Sequence, residues 1–218
     1  DNESNEVSSV ATTTVTVKTF QGIQDVITSA SAGDTIRLTG TYTGSGTPIT
    51  VNKNLNFIGV NSATLDAKTL SRIISISGGA VTFINITFKN GKLEDTSGTA
   101  NYGGAVIISS GSGNFTNCNF IDNIARMGGA GYIYNSGSGN FTNCNFTENT
   151  ASSMGGALIL GGKSNCLTNC NFIGNIANAN GGAVSVSSSS STYVTGCNFK
   201  DNTITNGGGI LLSLIHIS

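Results

Sequence analysis

The chain has 218 residues, only 10% of them charged, and its formal net charge is −1. With no basic surplus it lacks the footprint of a nucleic-acid binder, and no run of 18 apolar residues is present to cross a membrane as a helix. Gly is abundant at 30 and Pro is 1, while Val, Ile and Phe recur periodically, which argues for a packed interior rather than a disordered chain.

Taken in order, residues 1–14 read as a disordered or linker segment. The chain opens at Asp1 without Met, as expected of a processed secreted protein or a piece of a longer one. Phe20, Ile23, Val26 and Ile27 then have helical spacing, which predicts a short amphipathic helix over about residues 20–30. Such a helix would cap the open first turn of a single domain covering residues 15–211, hiding a sheet edge that could pair with another chain. GDTIRL at 33–38 starts the strands.

The run Asn54-Leu55-Asn56-Phe57 and the run Asn85-Ile86-Thr87-Phe88 share one form. In the second, Phe83, Ile86 and Phe88 cannot all lie on one face of a straight strand, because alternate residues share a face. A bend at Ile84-Asn85 resolves this: Val81 and Phe83 point inward before it, Ile86 and Phe88 after it.

From residue 111 the pattern becomes a repeat. GSGNFTNCNF occurs at 111–120 and again at 137–146, with looser copies ending at Phe172 and Phe199. The cysteines Cys118, Cys144, Cys170 and Cys197 are separated by 26, 26 and 27 residues. A fixed period in this range marks a stacked-repeat architecture. Each unit carries Phe two residues after Cys, Asn three further on (Asn123, Asn149, Asn175, Asn202), and then a Gly-Gly pair opening an apolar run at Gly103, Gly128, Gly155, Gly181 and Gly207. Three short strands per unit, joined by Gly, Asn and Ser turns, predict an all-β, right-handed parallel β-helix. Seven or eight coils would make a rod of about 35 Å. The last residues, LSLIHIS at 212–218, break the repeat and match the translation of a transposon-end sequencing adaptor. They are read as an assembly artefact, so the natural chain is expected to continue past Leu211 and His216 is not expected to belong to it.

Stacking turns these positions into ladders. Phe88, Phe120, Phe146, Phe172 and Phe199 form one, each buried Phe contributing about 1.5–3 kcal/mol. The cysteines form another, in a column that also accepts Leu55 and Ile86. They lack the CxxC spacing of zinc sites, and stacked neighbours point in parallel, so small buried hydrophobes are expected rather than disulfides or ligands. Cys166 lies outside that column and is expected to face outward. The asparagines are expected to be buried and structural, bonding to one another and to turn backbone.

Other polar residues are weighed one by one. Asp122 and Glu148 would stack as neighbours with Gly174 and Asp201, and oxygen ligands of this kind can hold Ca²⁺. Two carboxylates are too few for a tight site, so a solvated turn is expected there. Asn2, Asn85, Asn114, Asn140 and Asn145 begin N-x-S/T sequons, of which Asn85 at a bend is the exposed candidate in a secreted protein. Polysaccharide cleavage needs paired carboxylates, or calcium with a base. Asp34, Asp66 and Arg72 are the alternative grouping, against ordinary turn and surface roles. No catalytic residue, metal or cofactor is assigned.

Among the aromatics, Tyr102, Tyr132, Tyr134 and Tyr193 are the candidates for exposure. Tyr132 and Tyr134 alternate in one strand. They share the register of Ala130 and its small counterparts Ala105, Ala157 and Ala183, which places them on the outer face with Ile133 inside. They are the candidate binding residues.

The Gly-Gly-Ala motifs at 103–106, 155–158 and 181–184, alternating with Phe-x-x-Asn at 120–123, 146–149, 172–175 and 199–202, resemble the repeats of chlamydial polymorphic membrane proteins. The front half, with VNKNLNFIGV, ATLDAK and RIISISGGAVTFINITFKNG, is similar to adhesin-like β-helix proteins of methanogenic archaea. Together the resemblance covers residues 15–211. It implies a secreted or cell-surface β-helix that extends from the cell and mediates attachment. The expected role is therefore non-enzymatic, an attachment module or an extended stalk, a monomeric rod whose partners would be glycans or proteins of another cell. A pectate-lyase-like carbohydrate-active enzyme is the alternative.

Overall fold

The computed structural model describes residues 10–93, 101–187 and 189–206. Its backbone winds as a right-handed parallel β-helix of about seven turns, with one short helix near the start. Every strand pairing is parallel and joins one turn to the next, giving three sheets stacked along the rod, the third only in the later turns.

The widest sheet is bent. Its strand Ala80–Lys89 passes continuously through the bend, where Asn85 takes a φ of 57°. In the next turn the strand splits into Ser112–Thr116 and Asn119–Ile121, with Asn117 at φ 53° between them. Asn, the side chain that best tolerates this left-handed conformation, holds the same turn at Asn143 and Asn169, and Gly196 follows. The bend creates two inward columns. One runs Ile36, Phe57, Phe83, Phe115, Phe141, Leu167, Val194. The other runs Tyr42, Leu65, Phe88, Phe120, Phe146, Phe172, Phe199. Phe199, expected to be buried, stacks on Phe172 at 4.8 Å but is itself exposed, because it stands in the last of the described turns. Rings lie nearly parallel and offset within a column, from 4.6 Å for Phe146–Phe172 to 5.0 Å for Phe83–Phe115, and meet edge-on between columns, as Phe120 and Phe141 do at 5.8 Å and 72°. Both arrangements suit the ring quadrupole.

This pairing corrects the reading of Leu55. Leu55 pairs with Val81 and Phe57 with Phe83, so the Asn-Leu-Asn-Phe run lies before the bend, not after it. The partner of Ile86 is Ala63. Between them the front strand shifts register, with Asn61 and Ser62 at positive φ taking up the extra residues.

The second sheet contains Ile49–Val51, Ile74–Ile76, Val106–Ile108, Gly131–Ile133, Leu158–Leu160 and Val184–Val186. Each of its later strands follows a Gly-Gly-Ala, whose composition has a steric cause. The first glycine has φ near 65° at Gly103, Gly128, Gly155 and Gly181, and the second has no room for a Cβ: at Gly104, Gly129 and Gly156 it would strike the carbonyl oxygen of the second glycine one turn on. The alanine is buried, as Ala105, Ala130 and Ala157 show.

The third sheet departs from the expected three strands per turn. It consists of Ile124–Met127, Thr150–Met154, Ile176–Ala177 and Thr203–Ile204, a fourth short strand in each later turn. Only Ala125, Ala151 and Ala177 point inward from it, too small a signal to read as a strand.

The helix spans Phe20–Ser29 and buries Phe20, Ile23 and Ile27. Thr19 caps it by accepting the Gly22 N–H at 3.1 Å. It packs on Thr35–Thr43 and Ile49–Val51, closing the first turn. Residues 12–14, expected in a linker, are a strand instead: Thr12–Thr14 pairs with residues 35–37, and Val15 is buried behind it. The segments 1–9, with the Asn2 sequon, and 207–218, with the last Gly-Gly run, Leu211 and His216, lie outside the described residues.

Candidate functional site

Asn123, Asn149 and Asn175 are fully buried beneath the turn that follows each Phe. Asn149 shows the pattern. Its Nδ2 donates to the Phe120 carbonyl at 3.0 Å and to Asn175 Oδ1 at 2.9 Å. Its Oδ1 accepts from the Asn123 backbone N–H at 3.1 Å and from Asn123 Nδ2 at 3.0 Å. Both donors and both lone pairs are therefore used. The ladder continues upward to Asn202 at 2.8 Å and ends below where Asn123 Oδ1 accepts the Gly91 N–H at 2.9 Å. Nothing is left over to bind a ligand.

The cysteines are all free thiols. Cys118, Cys144 and Cys170 are buried and Cys197 is half-buried, each Sγ facing a carbonyl of the turn below, as Cys144 does to Phe115 at 3.4 Å. A hydrogen bond with Cys118, joined by burial, pushes the Cys144 thiol up to about 12. A hydrogen bond with Cys144, again with burial, raises Cys170 to about 12. A thiol so raised is a poor nucleophile. Cys166 faces outward, 3.4 Å from the Thr168 hydroxyl. No three His, Cys, Asp or Glu side chains among the described residues gather in a way that could hold a metal ion.

Asp122, Glu148 and Asp201 stand in one turn column with Gly174, all at φ between 54° and 65°. Asp122 and Glu148 are exposed to solvent. Among the sequons, the side chains of Asn114 and Asn140 bond to each other at 2.9 Å, and Asn145 bridges Asn119 and Asn171 at 2.9 Å on each side. A glycan on any of these three would break a ladder. Asn85 is exposed at its bend.

Asp34, Asp66 and Arg72 are not assembled into one constellation. Asp34 accepts the backbone N–H groups of Ala11 and Ser31 beside the helix. Asp66 lies at the far end of the adjacent strand, buried, with Lys68 at 3.3 Å and Lys89 at 3.6 Å. Burial pushes its carboxyl up, but hydrogen bonds from Asn90 and Lys68 and the Lys68 charge outweigh this and hold it below the usual range. Arg72 donates to the carbonyls of Gly103 and Tyr102, and desolvation lowers it to about 10.

The outer face of the second sheet has a different character. Tyr132 and Tyr134 point outward, each half-buried, and Ile133 points in. Ala130, used to set this phase, is itself buried, because the Gly-Gly turn redirects the chain before the strand begins. Gly131 occupies an inward site, and Leu158 of the next turn fills the space, its Cδ2 lying 2.7 Å from where a Cβ would be. Tyr132 is flanked in register by Ile107 and Ile159. The Tyr102 ring packs on Tyr132 at 4.6 Å, and Tyr132 on Tyr134 at 5.4 Å. Arg126 Nη1 donates to the Tyr102 hydroxyl at 3.3 Å. Met127 and Met154 pair in register on the neighbouring sheet and border the same groove of about 420 Å³. Burial, with Tyr102 and Tyr134 nearby, raises the Tyr132 phenol. Tyr193 is exposed on the bent sheet, away from this cluster.

Sequence patterning does not single out Ile107, Ile159, Arg126 or the methionines. The available signal is the middle residue of Val106-Ile107-Ile108 and Leu158-Ile159-Leu160, apolar where strict alternation calls for a polar side chain.

A right-handed parallel β-solenoid with polar ladders inside defines the class. The chain matches the right-handed β-helix region family over residues 71–214, more than half of its length, and belongs to that family. A comparison with curated proteins gives no match. No helix among the described residues is long and apolar enough to cross a membrane.

Proposed function

We propose that this chain is a non-enzymatic, adhesin-like attachment module, displayed outside the cell or on its surface as an extended β-solenoid. The observation that carries the reading is the gathering of Tyr102, Tyr132 and Tyr134, three of the five tyrosines, on one outer face beside Ile107 and Ile159. Aromatic anchors of this kind dominate recognition surfaces. The resemblance of the Gly-Gly-Ala and Phe-x-x-Asn repeats to polymorphic membrane proteins, and of the front half to archaeal adhesin-like proteins, supports the same reading.

The test offers the purified chain a panel of immobilised glycans and, in parallel, the same glycans in solution for depolymerisation. Retention without chain shortening, abolished in a Tyr132/Tyr134 double alanine variant, is the expected result. Shortening of any uronate polymer, lost on changing Asp34, Asp66 or Asp122, would overturn it in favour of a polysaccharide lyase or hydrolase.

A further inference from the structure

The groove beside the tyrosines runs along the rod axis and crosses three turns. Tyr132, Ile159 and Ser185 form one register row across it. Tyr134, Gly161 and Ser187 line the groove two residues further on, just past the ends of the same three strands. Gly161 keeps the floor open between Tyr134 and Ser187, since a Cβ there would stand 3.7 Å from Ser187 Cβ and 3.2 Å from the Ile133 carbonyl. Three strands span about 10 Å, the length of two linked pyranose rings. One end is aromatic and the other carries hydroxyls.

Charge then separates the classes of sugar. Arg126 is half-buried against Tyr102 and uses one of its guanidinium donors on the tyrosine hydroxyl. A guanidinium offers five donors in a planar fork. No carboxylate among the described residues lies within ion-pair distance of it, and the turn residues Asp122 and Glu148 do not pair with it. Arg72 lies behind Tyr102 and is anchored on the Tyr102 and Gly103 carbonyls. Arg126 thus stands at the hydroxyl of the tyrosine that packs on Tyr132 at the groove's aromatic end, in a half of the chain that has few charges. Aromatic rings suit the C–H face of a pyranose, and an Arg fork suits a carboxylate bidentately.

We infer that the groove lined by Tyr132 and Tyr134, with Tyr102 packed on Tyr132 and Arg126 on the Tyr102 hydroxyl beside it, is a binding site for an acidic saccharide, with the sugar ring on the tyrosines and its carboxylate on Arg126. This rests on the attachment reading and narrows its ligand. The carboxylate belongs either to a uronic acid or to a sialic acid, and the length of the groove admits two residues of either. Ser185 and Ser187 receive the hydroxyls of the second ring.

The experiment titrates the whole chain with three probes by calorimetry: a trigalacturonic acid, its methyl ester, and sialyllactose. One of the two acids is expected to bind at least tenfold more tightly than the ester, and that affinity should fall as salt is raised. The acid that binds identifies the source of the carboxylate. R126Q should weaken acid binding at least tenfold without moving Tm, and R126K should recover only part, because an ammonium cannot form the fork. Equal binding of acid and ester, or acid binding indifferent to R126Q, would overturn the inference while leaving a neutral-glycan attachment module standing. Loss of all glycan retention would instead remove the attachment reading itself. Titration accompanied by dimer formation would overturn the inference by showing that the tyrosine face is covered by a second copy.

Discussion

The front of the rod, up to residue 93, and the repeats from residue 101 build the same cross-section from different materials. In front, long strands such as Leu55–Asp66 bury mixed columns in which Ile36, Leu65 and Tyr42 stand with Phe57, Phe83 and Phe88, the helix closes the end, and the buried polar groups are individual solutions. Tyr42, fully buried, donates its hydroxyl to the Val15 carbonyl at 2.7 Å, and Asp66 is held by Lys68, Lys89 and Asn90. Behind, charges nearly vanish and each turn repeats one solution: an Asn that satisfies its neighbours, a Cys on a carbonyl, a Phe on a Phe. An individual solution tolerates variable turn lengths, and the register shift beside Asn61 and Ser62 shows it. A ladder does not, because each amide finds its partner only if the next turn delivers the same atom at the same height. This is why the period tightens to 26 and 27 residues in the later turns.

The sharpest way to break the rear half is Cys144→Asp. Its site is fully buried and has no cationic partner, so the change should cost about 5 kcal/mol and unfold neighbouring turns, seen as lost hydrogen-exchange protection there. Cys144→Val at the same site should cost under about 1.5 kcal/mol by denaturant titration. Free-thiol counting on denatured, unreduced protein should find five; finding one would overturn the ladder account.

In the front half, the corresponding blow is Phe20→Ala. It empties the helix side of the first turn and should cost about 3–4 kcal/mol, with exchange protection falling first at Ile49–Val51. Equal loss in the rear turns would mean that the two regions unfold as one unit.

Asn149→Ala should cost about 2–3 kcal/mol, because the Phe120 carbonyl and the Asn123 N–H lose buried partners. Melting temperature falls while glycan retention per folded molecule stays constant. A binding loss at unchanged stability would reverse the assignment.

A smaller effect distinguishes the halves by pH. Asp66 is depressed in the fold, so its stabilisation is present above the ordinary carboxylate value and is lost as pH falls through the depressed one. Cys144 and Cys170 are raised, so theirs is present below the ordinary thiol value of 9.0 and is lost as pH rises toward about 12. Asp66→Asn should flatten the acid side of a stability profile, and Cys144→Val part of the alkaline side. An unchanged profile in either variant counts against the corresponding assignment.

The smallest expected effect on stability is that of the Tyr132/Tyr134 double alanine variant. It should leave Tm within a few degrees while abolishing retention on glycans. A large drop in Tm would make those rings part of the core.

Several features were already legible in the chain: the repeat length, the inward Phe and Cys columns, the burial of Asn123, Asn149 and Asn175, and the outward phase of Tyr132 and Tyr134. Each follows from a local rule, either alternation along a strand or identity at a fixed period, and stacking identical turns converts such rules directly into contacts. Other features were decided only by the tertiary structure. Asn-Leu-Asn-Phe at 54–57 has the letters of the segment after the bend but lies before it, because backbone pairing with residues 81–84 overrides local similarity. The Ile124–Met127 strand carries one buried alanine and shows no alternation worth reading, yet it exists because its neighbours above and below pair with it. The aromatic patch at the groove draws Tyr102, Arg126, Tyr132 and Ile159 from different segments and turns. Their proximity is set by the distance between turns, a quantity that belongs to the wound chain and to no single stretch of sequence.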